Sequence, residues 1–255
     1  MSSYSGKNAL VIGGTSGIGL AAAQLLAERG AAVTVAGLET ARPDSLAGTP
    51  KIQWVPCDVR DPAHVERAVD IAAGQGPVNW LVYSAGIQRY GNAVETPVEE
   101  WDLVQAVNAR GAFLTAHFCV PRMATGGAIV HVSSVQGLSC QAGVAAYAAS
   151  KGTIDALTRS MALDFAGRGI RVNAVLPGTV DTPMVRASAE RFSSPEQPAD
   201  ALVEQWGRMH PLGRMAQARE VAQAIVFLLS DEASFVTGVS LPVDGGLLAQ
   251  LSVKL

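Results

Sequence analysis

Short, strand-like, largely apolar runs alternate with helix-length segments along the entire chain, and no other feature restricts the fold as much. Ala9-Leu10-Val11-Ile12 is the first such run. Others lie at 32–36, 52–55, 80–83, 128–132, 171–176 and 239–243. A strand without a polar face is covered on both sides, which is the condition of a parallel sheet between helical layers. Helices are predicted over 17–29, 62–73, 98 to about 123, about 144–167 and 218–229. The pattern predicts an α/β fold: a Rossmann-like, doubly wound parallel sheet with helices on both faces. It forms a single domain over residues 1–255, because no shift in composition divides the chain.

Apolar residues make up 49% of the chain and charged residues 16%, which is material for a large core and argues against disorder. The net charge of −3 offers no basic field for a phosphate backbone, so nucleic acid is not an expected partner. No membrane segment is expected either: the apolar run 222–229 is short and contains Gln223. Residues 1–7 carry no signal-peptide pattern. Cys57, Cys119 and Cys140 lie far apart without a Cys-x-x-Cys pair, which reads as free thiols in the cytoplasm. His64, His117, His131 and His210 show no metal-ligand spacing, so no metal is expected, and His131 reads as a core residue. Segment 182–210 stands apart. It holds Pro183, Pro195 and Pro198 among polar residues and reads as a substrate loop that could contain short helices.

The first strand runs into Gly13-Gly14-Thr15-Ser16-Gly17-Ile18-Gly19. A glycine-rich turn at this place lets backbone N–H groups and a helix N-terminus meet a pyrophosphate. The second strand ends at Leu38-Glu39. An acidic side chain there accepts from a ribose 2′-hydroxyl and repels a 2′-phosphate, so Glu39 favours NAD over NADP unless it merely faces solvent. Neither Ser16 nor Leu38 is basic, and Arg42 is the nearest cation in the sequence. Asp58, followed by Val59, either caps the adenine edge or serves as a turn carboxylate before Pro62.

Tyr147 and Lys151 are one helical turn apart, and an ammonium beside a phenol favours the phenolate. Ser134 follows the run 128–132, at the carboxyl end of a strand, where open α/β sheets bind ligands. Together with the glycine turn, this combination resembles the short-chain dehydrogenase/reductase family over essentially the whole chain. Gly13, Gly17 and Gly19 match its phosphate turn. Tyr83-Ser84-Ala85-Gly86 corresponds to its Asn-Asn-Ala-Gly motif, and Asn108 to its helix asparagine. Ser134, Tyr147 and Lys151 match its catalytic residues. Pro177, Gly178, Val180 and Thr182 match its segment around the nicotinamide carboxamide. The chain departs from the pattern at Ile12, at Tyr83 and Ser84, and at Gly37, where NAD-using relatives often carry aspartate.

The resemblance implies an NAD(P)-dependent oxidoreductase that interconverts a secondary alcohol and a carbonyl. Tyr147 would be the general base or acid, Lys151 would lower its pKa and bind the nicotinamide ribose, and Ser134 would bond the reacting oxygen. Asn108 would hold a water that links Lys151 to solvent. Gln88, Arg89, Gln136 and Gln141 are the expected substrate contacts, and these polar groups suit a sugar or polyol. A 3-oxoacyl thioester reductase is the enzymatic alternative. A dinucleotide-binding sensor or scaffold is the non-catalytic one, and the complete set Asn108, Ser134, Tyr147, Lys151 speaks against it. A homotetramer is expected from the resemblance. Small-residue helix faces support it (Ala146, Ala149, Ser150, Thr153; and Ala106, Ala109, Gly111, Ala112), as do the apolar stretch 235–243 and Leu247-Leu248.

Overall fold

The computed structural model describes residues 4–49 and 51–251, so the start of the segment read for a signal peptide lies outside the described residues. The chain runs β1 (Asn8–Ile12), α1 (Gly17–Glu28), β2 (Ala32–Gly37), β3 (Ile52–Pro56), α2 (Pro62–Ala73) and β4 (Val78–Tyr83). It continues with α3 (Val98–Val104), α4 (Gly111–Cys119), β5 (Met123–Val132), α5 (Ala145–Asp164) and β6 (Arg171–Pro177). The remainder comprises β7 (Val180–Asp181), α6 (Pro183–Phe192), α7 (Ala199–Arg208), β8 (Ala216–Gln217), α8 (Ala218–Leu229) and β9 (Ser240–Val243).

Seven strands form one sheet in the order β3-β2-β1-β4-β5-β6-β9, and every pairing is parallel. The apolar runs are buried for the reason their sequence indicates. Side chains alternate between faces, so Val11, Val33, Val82 and Val130 pack into one layer with α1 and α8. Leu10, Leu81, Ile129 and Val172 pack into the other with α2, α4 and α5. Between β1 and β4 the winding reverses, which opens a crevice at the carboxyl ends of the strands.

One expectation is corrected. The helix expected over 98–123 is broken: a π-helical segment, Gln105–Arg110, separates α3 from α4, and Met123 already belongs to β5. The short helices allowed for in segment 182–210 make up most of it, α6 and α7 being joined by a bend that holds Pro195. Thr182 caps α6 by accepting from Val185 N–H, Pro183 occupies the first turn, and Pro198 precedes α7. Among the described residues, no helix is long and apolar enough to cross a membrane.

Candidate active site

A cavity of about 1140 Å³ occupies the crevice and extends beneath α6 and α7. Its first wall is the turn after β1. Gly13 has φ +74°, and a Cβ there would collide with the backbone of Ala85. The turn therefore lies directly against the end of β4, with Gly13 N–H donating to Ala36 O at 2.8 Å. Ser16 caps α1 without a side-chain bond, and the first turn holds no acidic residue, so the helix dipole faces the cavity unneutralised. Thr15, Ser16, Gly17 and Ile18 all line this wall. Gly19 does not; it packs against the Gly13 carbonyl and lets the turn close.

Leu38, Glu39, Asp58 and Val59 line the end near β2 and β3. A side chain at Gly37 would collide with the Glu39 carboxylate and Thr15. The glycine thus makes room for Glu39 to fold back over the strand end. Arg42 is not available here: it donates to the carbonyls of Ile52, Leu46 and Thr49. A cation that does line this end of the cavity is Arg60, which sequence reasoning missed, and it pairs with both oxygens of Asp58. The guanidinium holds the Asp58 carboxyl below its usual range. Asp58 also accepts from Arg60 N–H, so it is a turn carboxylate as well as a lining residue, while Asp61 caps α2.

Ser134, Tyr147 and Lys151 converge on the middle of the cavity. Ser134 caps a short turn by accepting from Gln136 N–H at 3.2 Å, and its side chain favours the ionised form of Tyr147. Lys151 Nζ lies 5.4 Å from the centre of the Tyr147 ring. Both side chains are buried. Burial pushes the Tyr147 phenol up to about 12, opposed by the Ser134 side chain. It pulls Lys151 down to about 8, opposed by the charge of Asp155 one turn further along α5. A phenol held between a hydroxyl and an ammonium, facing a cavity, can exchange a proton with a bound oxygen.

Asn108 stands outside the lining, behind Gly86, and its side chain bonds to groups within the protein. Oδ1 accepts from Ile87 N–H at 2.8 Å, and Nδ2 donates to Ile87 O and Ser150 Oγ, each at 2.9 Å. The side chain thus braces Ile87 against α5. The π-helical segment aims it there, and the Tyr83 hydroxyl secures that segment by donating to Val107 O at 2.5 Å. Tyr83, which departs from the family motif, thus supports the asparagine from behind.

Ser84, Ala85, Gly86, Pro177, Gly178, Val180 and Thr182 line the remaining wall. Gln88, Gln136 and Gln141 are lining residues too, and Gln136 Nε2 donates to Gln141 Oε1 at 3.1 Å. Arg89 also lines the cavity, but its guanidinium is held by Glu100 at 2.6 Å. The segment 182–210, expected to face the substrate, does so with the apolar side chains Met184, Phe192, Trp206 and Met209, and Tyr90, which the sequence reading did not single out, joins them. Tyr90 ties the loop after β4 to α6 through Ser188 at 2.6 Å and an edge-on contact with Phe192.

The unneutralised helix start, the glycine-rich turn and the carboxylate at the β2 end fit a dinucleotide. Among the described residues, no cluster of three or more His, Cys, Asp or Glu could hold a metal ion.

A family model described as enoyl-(acyl carrier protein) reductase matches residues 13–248. The chain is 41% identical over 255 residues to cis-4-hydroxycyclohexanecarboxylate dehydrogenase of Sinomonas cyclohexanicum, covering 96% of this chain and 98% of that one. It is 38% identical to 3-oxoacyl-[acyl-carrier-protein] reductase of Thermotoga maritima, over 95% and 98% of the two chains. Among solved structures, ligand-free aldohexose dehydrogenase of Thermoplasma acidophilum matches with a TM-score of 0.92 at 35% identity, covering 99% of this chain and 98% of that one.

Proposed function

The chain belongs to the short-chain dehydrogenase/reductase family as an NAD(P)-dependent oxidoreductase of CH–OH groups, and on that premise we propose that it interconverts a secondary alcohol and a carbonyl in a compact, hydroxyl-bearing substrate of the sugar or polyol kind. The observation that carries the substrate class is Gln136. It lines the cavity together with Gln141, to which its Nε2 donates at 3.1 Å, so the two amides form one polar patch. Such a patch offers donors and acceptors to a substrate hydroxyl. The apolar side, with Tyr90 and Trp206, covers the carbon skeleton.

In this reading Tyr147 takes the alcohol proton during oxidation and returns it during reduction. Ser134 donates to the reacting oxygen and steadies its developing charge. Lys151 keeps a positive charge beside the phenol and binds the nicotinamide ribose. Asn108 holds Ile87 and Ser150 in place around them. A bound nicotinamide supplies the hydride acceptor or donor.

The test is a screen of sugars, polyols, cyclic alcohols and an acetoacetyl thioester, followed by nicotinamide absorbance. Hydroxylated substrates should give the highest kcat/KM, and Gln136→Leu should raise their KM while sparing a simple ketone. Preference for the thioester would replace this reading with the acyl reductase, whose support is the Thermotoga relative.

We read Glu39 as selecting NAD. Its carboxylate occupies the space beside Gly37, and Arg42 is engaged elsewhere. Glu39→Gln should narrow the NAD preference in kcat/KM, and a wild type that prefers NADP would point to Arg60 as the phosphate ligand.

A homotetramer belongs to the same proposal, with its surface revised. Ala109, Gly111 and Ala112 of the second small-residue face are core residues, as are Ala146 and Ser150. The exposed face comprises Ala149, Thr153 and Leu163 on α5 with Phe113 on α4, and Phe235 is fully exposed elsewhere. Sedimentation of wild type and Leu163→Glu tests it; a wild-type monomer ends it. A cytoplasmic site of action completes the reading and agrees with three unpaired cysteines.

A further inference from the structure

His210 lies just beyond α7 and is 3% exposed. Its two ring nitrogens face different segments. Thr179 N–H donates to Nε2 at 3.2 Å, and Nδ1 stands 2.6 Å from the Asp244 carbonyl. Nε2 must accept and Nδ1 must donate, so the pair of contacts selects the neutral tautomer with the proton on Nδ1. The ring also fills the space above Gly178, where a Cβ would come within 2.5 Å of His210 Cε1. On the other side, Leu212 N–H donates to Gly245 O at 3.2 Å, and the Asp244 carboxylate holds the turn by accepting from Gly246 and Leu248. Gly178 and Thr179, Met209 next to His210, and Leu247 and Leu248 all line the same cavity. One imidazole therefore joins three of its walls.

We propose that His210 is a positioning residue for the nicotinamide end of the groove: by accepting from Thr179 N–H it fixes the Gly178–Thr179 backbone before the dinucleotide arrives. The inference rests on the cofactor reading above. Its physical basis is preorganisation. A backbone N–H left without an acceptor in a buried turn samples other arrangements, and binding must then restore the productive one. The adenosine and pyrophosphate end is built from β1, α1, β2 and β3, none of which His210 contacts through its ring, so loss of the imidazole acceptor should leave that end intact.

Side-chain geometry supplies a discriminating pair of variants. His210→Asn keeps a donor near the position of Nδ1 but has nothing at the position of Nε2. His210→Gln can place its amide oxygen near Nε2 and accept from Thr179. Titration calorimetry on the full chain would compare the preferred dinucleotide (NAD+ or NADP+) with its counterpart lacking nicotinamide, ADP-ribose or 2′-phospho-ADP-ribose. His210→Asn should bind the dinucleotide about tenfold more weakly, the effect of roughly one lost hydrogen bond. Its affinity for the ribose analogue should not change. His210→Gln should bind both like the wild type. Dinucleotide affinity unchanged in His210→Asn overturns the inference, as does an equal loss of both ligands. Should His210→Asn fail to fold, the decision falls on His210→Gln: wild-type affinity for both ligands supports the role, and weakened dinucleotide binding overturns it. A wild-type protein that bound neither ligand would instead remove the cofactor reading, and this inference with it.

Discussion

Lys151 Nζ donates to the carbonyl of Val132 at 2.9 Å, so the ammonium on α5 is anchored to the last residue of β5. That bond fixes the charge within reach of the Tyr147 ring, and Ser133 Oγ donates back to Lys151 O at 3.2 Å. The helix that carries Tyr147 and Lys151 and the strand that leads into Ser134 are thereby held as one unit. The proton transfer proposed for Tyr147 needs that rigidity, because a displaced donor loses its effect steeply.

Tyr147→Phe should abolish turnover and leave dinucleotide binding within about twofold, since the ring still packs and only the hydroxyl is gone. An essential acid–base group is worth roughly 10²–10⁴-fold in rate. Steady-state rates and calorimetric affinities in the two proteins decide it. A near-normal rate in the variant would exclude Tyr147 as the proton carrier.

The legible parts of this protein are those in which a side chain's type follows directly from its burial. β1, β2, β4 and β6 are buried along nearly their whole length, so their apolar runs announced them. The first half of β5 contains Thr125, Gly126 and Gly127; it pairs at Met123 with Val78 but has no apolar run, and it went unseen. The Gln105–Arg110 segment is invisible to a periodicity of 3.6 because one extra residue per turn leaves composition unchanged. In the site, the glycine turn, Ser134, Tyr147 and Lys151 were legible from spacing. Arg60 and Tyr90 were not, because nothing local in the sequence shows which loops will meet over the cavity.

The pH dependence of the two directions should oppose each other. Burial raises the Tyr147 phenol to about 12 and lowers Lys151 to about 8. Oxidation requires the phenolate and should accelerate as pH rises from neutral; reduction requires the phenol and should not. The Asp155 carboxylate opposes the lowering of Lys151. Asp155→Asn should therefore let Lys151 lose its proton at lower pH, weaken the positive charge beside Tyr147, and move the oxidation limb to higher pH by about one unit or less. Superimposable pH–rate profiles for wild type and variant would remove Asp155 from the proton chemistry.

A Cβ at Gly111 would overlap the Tyr83 hydroxyl that bonds Val107 O. Gly111→Ala should destabilise by about 1–3 kcal/mol through overpacking. Tyr83→Phe should cost a similar amount, about 1–3 kcal/mol, by leaving the partly buried Val107 carbonyl without this donor. The double variant should lose less than the two singles together, because removing the hydroxyl also removes the collision. Urea unfolding of the four proteins measures this coupling; strict additivity would show that the two groups do not meet.

Acid stability should carry the signature of His131. The side chain is completely buried in β5, and its Nδ1 lies 2.8 Å from Thr158 Oγ1. Thr158 Oγ1 already donates to Ile154 O, so Nδ1 must be the protonated nitrogen. That leaves Nε2 as a buried lone pair with no partner. Protonating it would place a second positive charge in a dry region near Lys151, and burial together with that charge pulls His131 down to about 4 from 6.5. In the unfolded chain the imidazole takes a proton near its ordinary value, so between the two values the unfolded state binds more protons than the folded one. Stability is then complete above about 6.5, falls as pH drops through that window, and has lost on the order of 3 kcal/mol from this group by about pH 4. His131→Asn cannot titrate. Its unfolding free energy should fall less steeply between pH 6.5 and 4, the remaining slope being that of the carboxylates common to both proteins. Chemical unfolding at several pH values reads the difference directly. Parallel curves for the two proteins would mean that His131 is not held neutral in the folded state.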